Sequence, residues 1–341
     1  MMKLDIQKAY DSVSWEAISS ILYNLRFPEQ FISWVMFCVS TPSYTLNVNG
    51  SHYAYFKGAR GLRQGDPMSP LLFVLVMEYL TRSFQAAVNK GRFGFHPLCA
   101  SMKIVNLCFA DDLIVVCKAE TKAVNCIMKV LKEFKLATGL SINYNKSHIV
   151  FGGINEQMKE ELLKITKMKM GTLPFTYLGS PITAARLSAS DCDALVHKIT
   201  TKIGAWGSRH FSYAARIRII NSVLMGIITF WSRIFIIPKG VLKKVTSICR
   251  NFLWGSSSDY KRTPLVKWEE VCQRRNYGGL GLKNIFNWNR AIVMKLNWDI
   301  ANKKDVLWVK WIHNRYIRGA DFWNYLPSKD SCQYWKAMIK V

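Results

Sequence analysis

The chain has no Cys-x-x-Cys pair, no long uninterrupted apolar run and few acidic residues. Its nine cysteines never come closer than nine positions apart, and Cys192 near His197 supplies only two donors. That spacing excludes a zinc ribbon or finger, and the cysteines are expected to be reduced and mostly buried. The longest apolar run, Leu71–Met77, is far short of the ~18 residues that read as a bilayer span, so no membrane association is expected. Lys3 and Asp5 interrupt the N-terminus, so no signal peptide or other targeting signal is expected, and the location reads as intracellular, in nucleus or cytoplasm.

Scarcity of acid leaves a formal charge of +25 on 341 residues. The excess is uneven: 16 basic against 10 acidic residues up to position 150, and 31 against 12 beyond it. A field of this sign favours a polyanion, either nucleic acid or an acidic membrane face. Half the residues are hydrophobic, which excludes a disordered chain, and the length calls for two or three domains.

The patterning divides the chain. Met2–Ile6 reads as a strand; Ser14 caps a helix to about Leu25, and Pro28 opens another to about Val39. Tyr44–Val48, the turn pair Asn49-Gly50, and Ser51–Phe56 form a hairpin. Ser69-Pro70 is expected to cap and start a helix to about Phe84. Ile104–Ala110 and Leu113–Cys117 read as paired strands. Val124, Ile127, Leu131 and Phe134 mark one helix face, which Gly139 terminates, and Ile142–Ile149 returns extended. This order suits an α+β domain with a mainly antiparallel sheet. Beyond Glu156 the pattern is mostly helical, with helices expected over Leu195–Trp206, Ala214–Ile227, Leu242–Trp254 and Trp288–Ala301. The Gly278-Gly279-Leu280-Gly281 stretch lacks the strand and the Lys-Ser/Thr of a phosphate loop and is expected to be a structural turn.

Asp111 and Asp112 sit between the two apolar strands. Adjacent carboxylates at a buried rim repel each other, and a divalent cation would relieve that repulsion. A polar turn would also accommodate them, so the case for metal needs a third carboxylate. Asp5, ending the first strand, is the candidate if that strand lies beside the hairpin and aims Asp5 and Asp111 into the same space. Gly61-Leu62-Arg63-Gln64-Gly65-Asp66-Pro67-Met68-Ser69-Pro70 lets the backbone approach another surface at Gly65 and leads into a helix N-terminus, with Arg63 and Gln64 free to meet a phosphate or base edge. By itself that segment is also readable as a plain loop.

Together these segments resemble the polymerase palm of reverse transcriptases, in wording similar to the non-LTR (LINE-type) retrotransposons of plants. Asp5–Asp11 resembles motif A, Gly61–Pro70 motif B and Phe109–Asp112 motif C. Gly139–Asn143 with Lys146 resembles motif D, and Phe175–Gly179 motif E, the primer grip. The resemblance implies a palm over 1–180, a thumb-like helical region over 181–260 and a Trp-rich, basic helical region over 261–341. It implies an RNA-directed DNA polymerase that takes an RNA template, a DNA primer and deoxynucleotides, with no obligate protein partner.

By the same resemblance Asp5, Asp111 and Asp112 bind two Mg²⁺ ions, or Mn²⁺, with the Ile6 carbonyl as a further ligand. Tyr10 packs under the sugar and excludes a 2′-hydroxyl; as an aromatic lid on the core it would sit in the same place. Arg63, Gln64 and Gly65 meet the template–nucleotide pair, and Tyr177, Leu178 and Gly179 hold the primer. Lys146 either protonates pyrophosphate or is a solvated lysine. Arg216, Arg218, Lys243, Lys244 and Arg250 are candidates for the nucleic-acid backbone.

The chain begins four residues before Asp5, so the fingers and an upstream endonuclease are expected to be missing, as is a Cys/His segment before Val341. The expectation is a fragment of a mobile-element reading frame. An inert nucleic-acid-binding remnant of the same element is the alternative. A nucleotidyl cyclase on the same palm would leave Tyr10 and Gln64-Gly65-Asp66-Pro67 without a purpose.

Overall fold

The computed structural model describes every residue except 92, 208–210, 256 and 260–262. It divides into two compact units, Met1–Thr172 and Leu173–Val341.

The first unit is α+β. Its elements run β1 (Met2–Asp5), α1 (Ala9–Ser12), α2 (Trp15–Asn24), α3 (Glu29–Ser40), β2 (Ser43–Val48) and β3 (Ser51–Lys57). They continue with α4 (Ser69–Asn89), β4 (Asn106–Phe109), β5 (Asp112–Val115), α5 (Thr121–Thr138), β6 (His148–Ile149), α6 (Glu156–Thr166) and β7 (Lys169–Met170). Five strands form one sheet in the order β4-β5-β1-β6-β7, antiparallel apart from the β6–β7 pair. The first strand of the chain thus lies at the sheet's centre, and its period-2 pattern explains why. Met2 and Leu4 are fully buried with Leu113 and Val115, while Lys3 and Asp5 alternate to the other face. The buried face packs on α4 through Phe73, Val76, Leu80 and Phe84, and on α5 through Val124, Ile127, Leu131 and Phe134.

Ser14 caps α2, its Oγ accepting from the Ala17 N–H at 3.4 Å, and Gly139 closes α5 at φ +78°. Two local expectations are corrected. Ser69 does not cap α4: it is buried inside the helix, and the Asp66 carboxylate accepts from the Met68 N–H at 2.8 Å instead. The 142–149 return is not continuous. Ile142 bridges Ile6, a turn follows over 144–146, and only His148–Ile149 pairs as a strand. Asn143 causes the break, because its side chain accepts from the Asn145 N–H and its carbonyl from the Ser147 N–H, closing a local turn.

The second unit opens with the hairpin β8 (Phe175–Tyr177) and β9 (Ser180–Ile182). Helices follow: α7 (Asp193–Gly207), α8 (Tyr213–Ile219), α9 (Met225–Ser232), α10 (Lys239–Gly255), α11 (Trp268–Val271), α12 (Ile285–Ala301), α13 (Leu307–Ile312) and α14 (Gln333–Ile339). One core gathers Leu195, Ile199, Leu224, Ile228, Val245, Phe252 and Ile285, and a smaller one gathers Val293, Ile300, Val309, Trp335 and Met338. The glycine stretch is a structural turn. The Asn221 side chain holds it from both sides, donating to the Gly281 carbonyl at 3.0 Å and accepting from the Lys283 N–H at 3.2 Å.

Ser69–Asn89 and Tyr213–Ser232 are each long and apolar enough to cross a membrane by length and composition. A search for uninterrupted apolar runs misses them because polar residues punctuate both. Each nevertheless supplies one face to a core, α4 through Leu72, Phe73 and Leu80, and the other through Ile217, Leu224 and Ile228.

Candidate active site

The sheet's register assembles the site. β1 pairs with β5 so that Asp5 stands directly opposite Asp112, and β4 turns into β5 through Ala110 and Asp111. Ala110 takes φ +51°, the left-handed conformation that such a two-residue turn demands. Residues directly opposite on neighbouring strands share a face, so Asp5 and Asp112 lie side by side on the face away from the core.

Backbone bonds refine this geometry. The Asp5 N–H donates to Ser147 Oγ at 3.0 Å, and its carbonyl accepts from the Asn143 N–H at 2.8 Å. Both groups therefore point away from β5, which makes Asp5–Asp112 a non-hydrogen-bonded pair, the class whose Cα atoms approach to about 4.5 Å. By the same alternation the Ile6 carbonyl points to the β5 side, toward the hairpin. The expectation that Asp5 and Asp111 share one space is thus refined: the register partner is Asp112, and Asp111 occupies the turn, exposed.

Two half-buried carboxylates face each other, on the sheet face that also carries Lys3. The described residues do not close three or more acidic, His or Cys side chains into a ready-made metal cluster. Hard oxygen donors placed side by side suit a divalent cation such as Mg²⁺. Neighbouring Cys108 registers the local field: burial, then the charges of Asp111 and Asp112, push its thiol up to about 11.

The loop resembling motif B is bolted to the segment after Asp5. The Gly61 N–H donates to the Val13 carbonyl at 2.8 Å, the Leu62 N–H to the Tyr10 carbonyl at 2.7 Å, and Trp15 Nε1 to the Gly61 carbonyl at 2.8 Å. Gly61 has φ +94°, and a Cβ there would meet the Asp11 carbonyl at 2.8 Å, so no other residue fits. Tyr10 is half-buried and stacks on Phe73 of α4, ring centroids 5.0 Å apart at 19°. Arg63, Gln64 and Gly65 are exposed, Gly65 with φ +91° in open space.

Residues 138–147 hold the end of β1 and the segment that follows it. The Gln7 N–H donates to the Ser141 carbonyl and the Ser14 N–H to the Thr138 carbonyl, at 2.8 and 2.9 Å. Ser147 is 1% exposed, and no sequence signal singles it out, because a serine after a lysine reads as loop. Lys146 is exposed beside it.

In the second unit, Leu178 and Gly179 form the two-residue turn of the β8–β9 hairpin, at φ +48° and +76°. Among the basic candidates, Arg218, Lys243 and Lys244 are exposed. Arg216 Nη1 donates to the Leu253 carbonyl at 2.9 Å and its guanidinium lies over Tyr213, while Arg250 Nη2 donates to Ser247 Oγ in α10 at 3.3 Å.

Residues 1–182 match the reverse transcriptase (RNA-dependent DNA polymerase) family, and the chain belongs to it. Its relatives place it among the non-LTR retrotransposon enzymes. It is 33% identical over 159 residues to the Pol polyprotein of the retrotransposable element R2DM of Drosophila melanogaster, covering 46% of this chain and 14% of that protein. It is 24% identical over 260 residues to an uncharacterised 149 kDa protein of transposon TX1 of Xenopus laevis, covering 74% and 19%. An uncharacterised mitochondrial protein of Arabidopsis thaliana is 42% identical over 66 residues, 19% of this chain and 54% of that one. The chain therefore spans less than a quarter of the length of the two transposon relatives. Among solved structures it is similar to telomerase from Candida albicans, with 12% identity, a TM-score of 0.38, and coverage of 91% of this chain and 50% of that one.

Proposed function

We propose that this chain is the catalytic core of an RNA-directed DNA polymerase that extends a DNA primer on an RNA template. The observation that carries the reading is the Asp5–Asp112 pair, held opposite each other on the sheet face away from the core. Reverse transcriptases in general use divalent metal ions. Asp5, Asp112 and the turn residue Asp111 would hold two Mg²⁺ ions, with the Ile6 carbonyl on the same side; Mn²⁺ has the same hard-donor preference. When bound, the ions supply charge neutralisation for the attacking and leaving oxygens.

The remaining work falls to the chain's own groups. The primer 3′-hydroxyl gives up its proton to solvent as its oxygen attacks the α-phosphorus of a deoxynucleotide, the α–β phosphoanhydride bond breaks, and pyrophosphate leaves with the electron pair. Such a reaction is accelerated mainly by positioning. Tyr10, braced by Phe73, forms the floor under the sugar and excludes a 2′-hydroxyl. Arg63, Gln64 and Gly65, on a loop stitched to Tyr10 and Val13, meet the template–nucleotide pair. Lys146 gives its proton to the departing pyrophosphate. The Tyr177–Gly179 turn holds the primer strand, and Arg218, Lys243 and Lys244 meet backbone phosphates. The domain roles follow the same reading, with a palm to about residue 180, a thumb over 181–260 and a basic C-terminal region beyond.

Primer extension with an RNA template, a DNA primer, deoxynucleotides and Mg²⁺ tests the reading, run on this chain and on a longer polyprotein segment containing it. Asp5→Asn and Asp112→Asn are expected to abolish extension while retaining template binding. Equal extension by parent and variants would overturn the site assignment. Template binding with no extension by any form would identify an inert remnant.

A further inference from the structure

Ten of the twelve tryptophans lie between Trp206 and Trp335, and most are spent on packing. Trp231, Trp254, Trp268 and Trp335 are buried in the helical cores. Trp298 and Trp323 are different: they are 60% and 69% exposed, yet they touch, with ring centroids 6.4 Å apart at 62°. Trp298 stands on the outer face of α12, one turn beyond the exposed Met294. Trp323 is held out by its loop. Phe322 packs edge-on against it at 5.5 Å, and the Asp321 carboxylate accepts from both the backbone N–H and the side-chain amide of Asn324.

The local charge indicates what such a surface fits. Residues 285–341 carry ten basic and four acidic side chains. Three of the four acids are already engaged: Asp299 with Lys304, Asp305 with Lys310, and Asp321 with Asn324. Lys295 and Lys303, on α12 and just past its end, form no ion pair among the described residues. A second copy of the chain would bring the same positive surface against itself, whereas a polyanion is drawn in. Exposed aromatic faces, with lysines free of ion pairs on the same helix and just past its end, are the combination that binds unpaired bases and their phosphates.

We propose that Trp298 and Trp323 form a stacking platform for the bases of a single-stranded nucleic acid, with Lys295 and Lys303 on its phosphates. The proposal shares with the polymerase reading only its nucleic-acid partner.

The test is fluorescence anisotropy of labelled oligouridine RNA, oligothymidine DNA and a DNA duplex with the full 341-residue chain. Trp298→Ala and Trp323→Ala are each expected to weaken single-strand binding by about fivefold or more and to leave the duplex unaffected. Trp298→Phe should retain most of the affinity, and Lys295→Ala with Lys303→Ala should flatten the salt dependence. A loss with RNA alone names the template as occupant and a loss with DNA alone names the primer strand; either supports the platform. Single-strand affinities within twofold of the parent, in variants whose melting is unchanged, would overturn it. So would sedimentation showing a dimer that Trp298→Ala dissociates. Primer extension measured in parallel keeps the two readings apart, since the platform fails on binding and the polymerase fails on synthesis.

Discussion

The hydroxyl of Ser147 accepts a hydrogen bond from the backbone N–H of Asp5 at 3.0 Å and donates one to the Asn143 carbonyl at 2.7 Å. One buried side chain thus ties the central strand, at Asp5, to the turn that carries Lys146. Under the proposed function Ser147 is a positioning residue. Ser147→Ala strands the Asp5 N–H, while the Asn143 carbonyl keeps the Ser147 N–H, and should cost about 1–3 kcal/mol, read as a lower urea midpoint at unchanged m. Extension should fall while template affinity holds. Parent-like stability and extension would remove Ser147 from the site's support.

Gly61 and Gly65 share a left-handed backbone but differ in surroundings. Alanine at 65 meets open space and pays only conformational strain, about 1–2 kcal/mol. At 61 the added Cβ also meets the Asp11 carbonyl at 2.8 Å, so Gly61→Ala should be the more damaging. Thermal melting of the two variants checks the order, and equal midpoints would mean that the loop shifts freely.

Asp5 and Asp112 repel each other as directly opposed like charges. Without divalent ions, Asp112→Asn should stabilise the protein by roughly 0.2–1 kcal/mol. Adding Mg²⁺ should raise the melting temperature of the parent and not that of the variant, because binding to the folded state alone stabilises it. Equal stabilisation of both by Mg²⁺ would place the ion elsewhere.

His148 in β6 has its pKa lowered, chiefly by burial and then by the positive charge of Lys3. The unfolded chain therefore takes up this proton at a higher pH than the folded one. Stability is present above the ordinary histidine value and is lost as pH falls through it toward the lowered folded value. Melting temperature should drop between pH 7.5 and 5.5, and His148→Gln should reduce that drop. An unchanged slope would assign the pH dependence to other groups.

Much of the site was legible in the sequence because its residues mark local structure. Asp111 precedes a strand, Gly61 and Gly65 punctuate a loop, and Pro70 opens a helix. The central strand was readable from the alternation of Met2 and Leu4 with Lys3 and Asp5. Ser147, Trp15 and Phe73 were not, since each acts through one long-range contact: Asp5, Gly61 and Tyr10 respectively. The failed cap at Ser69 has the same origin, because Asp66 competes for the helix start and burial draws Ser69 inward.

The tryptophans show the same division. Their number and basic company are sequence properties, but exposure sets Trp298 and Trp323 apart from the other tryptophans of the second unit, and exposure depends on which helix faces meet.

By itself the sequence determined the carboxylates, the order of the motif segments, the family and the excess of positive charge. Each is carried by residue identity and local spacing. Only the tertiary structure decided that Asp112 rather than Asp111 stands opposite Asp5. Strand register is set by burying Met2 and Leu4 against Leu113 and Val115, and a shift of one residue would turn every one of these side chains to the opposite face.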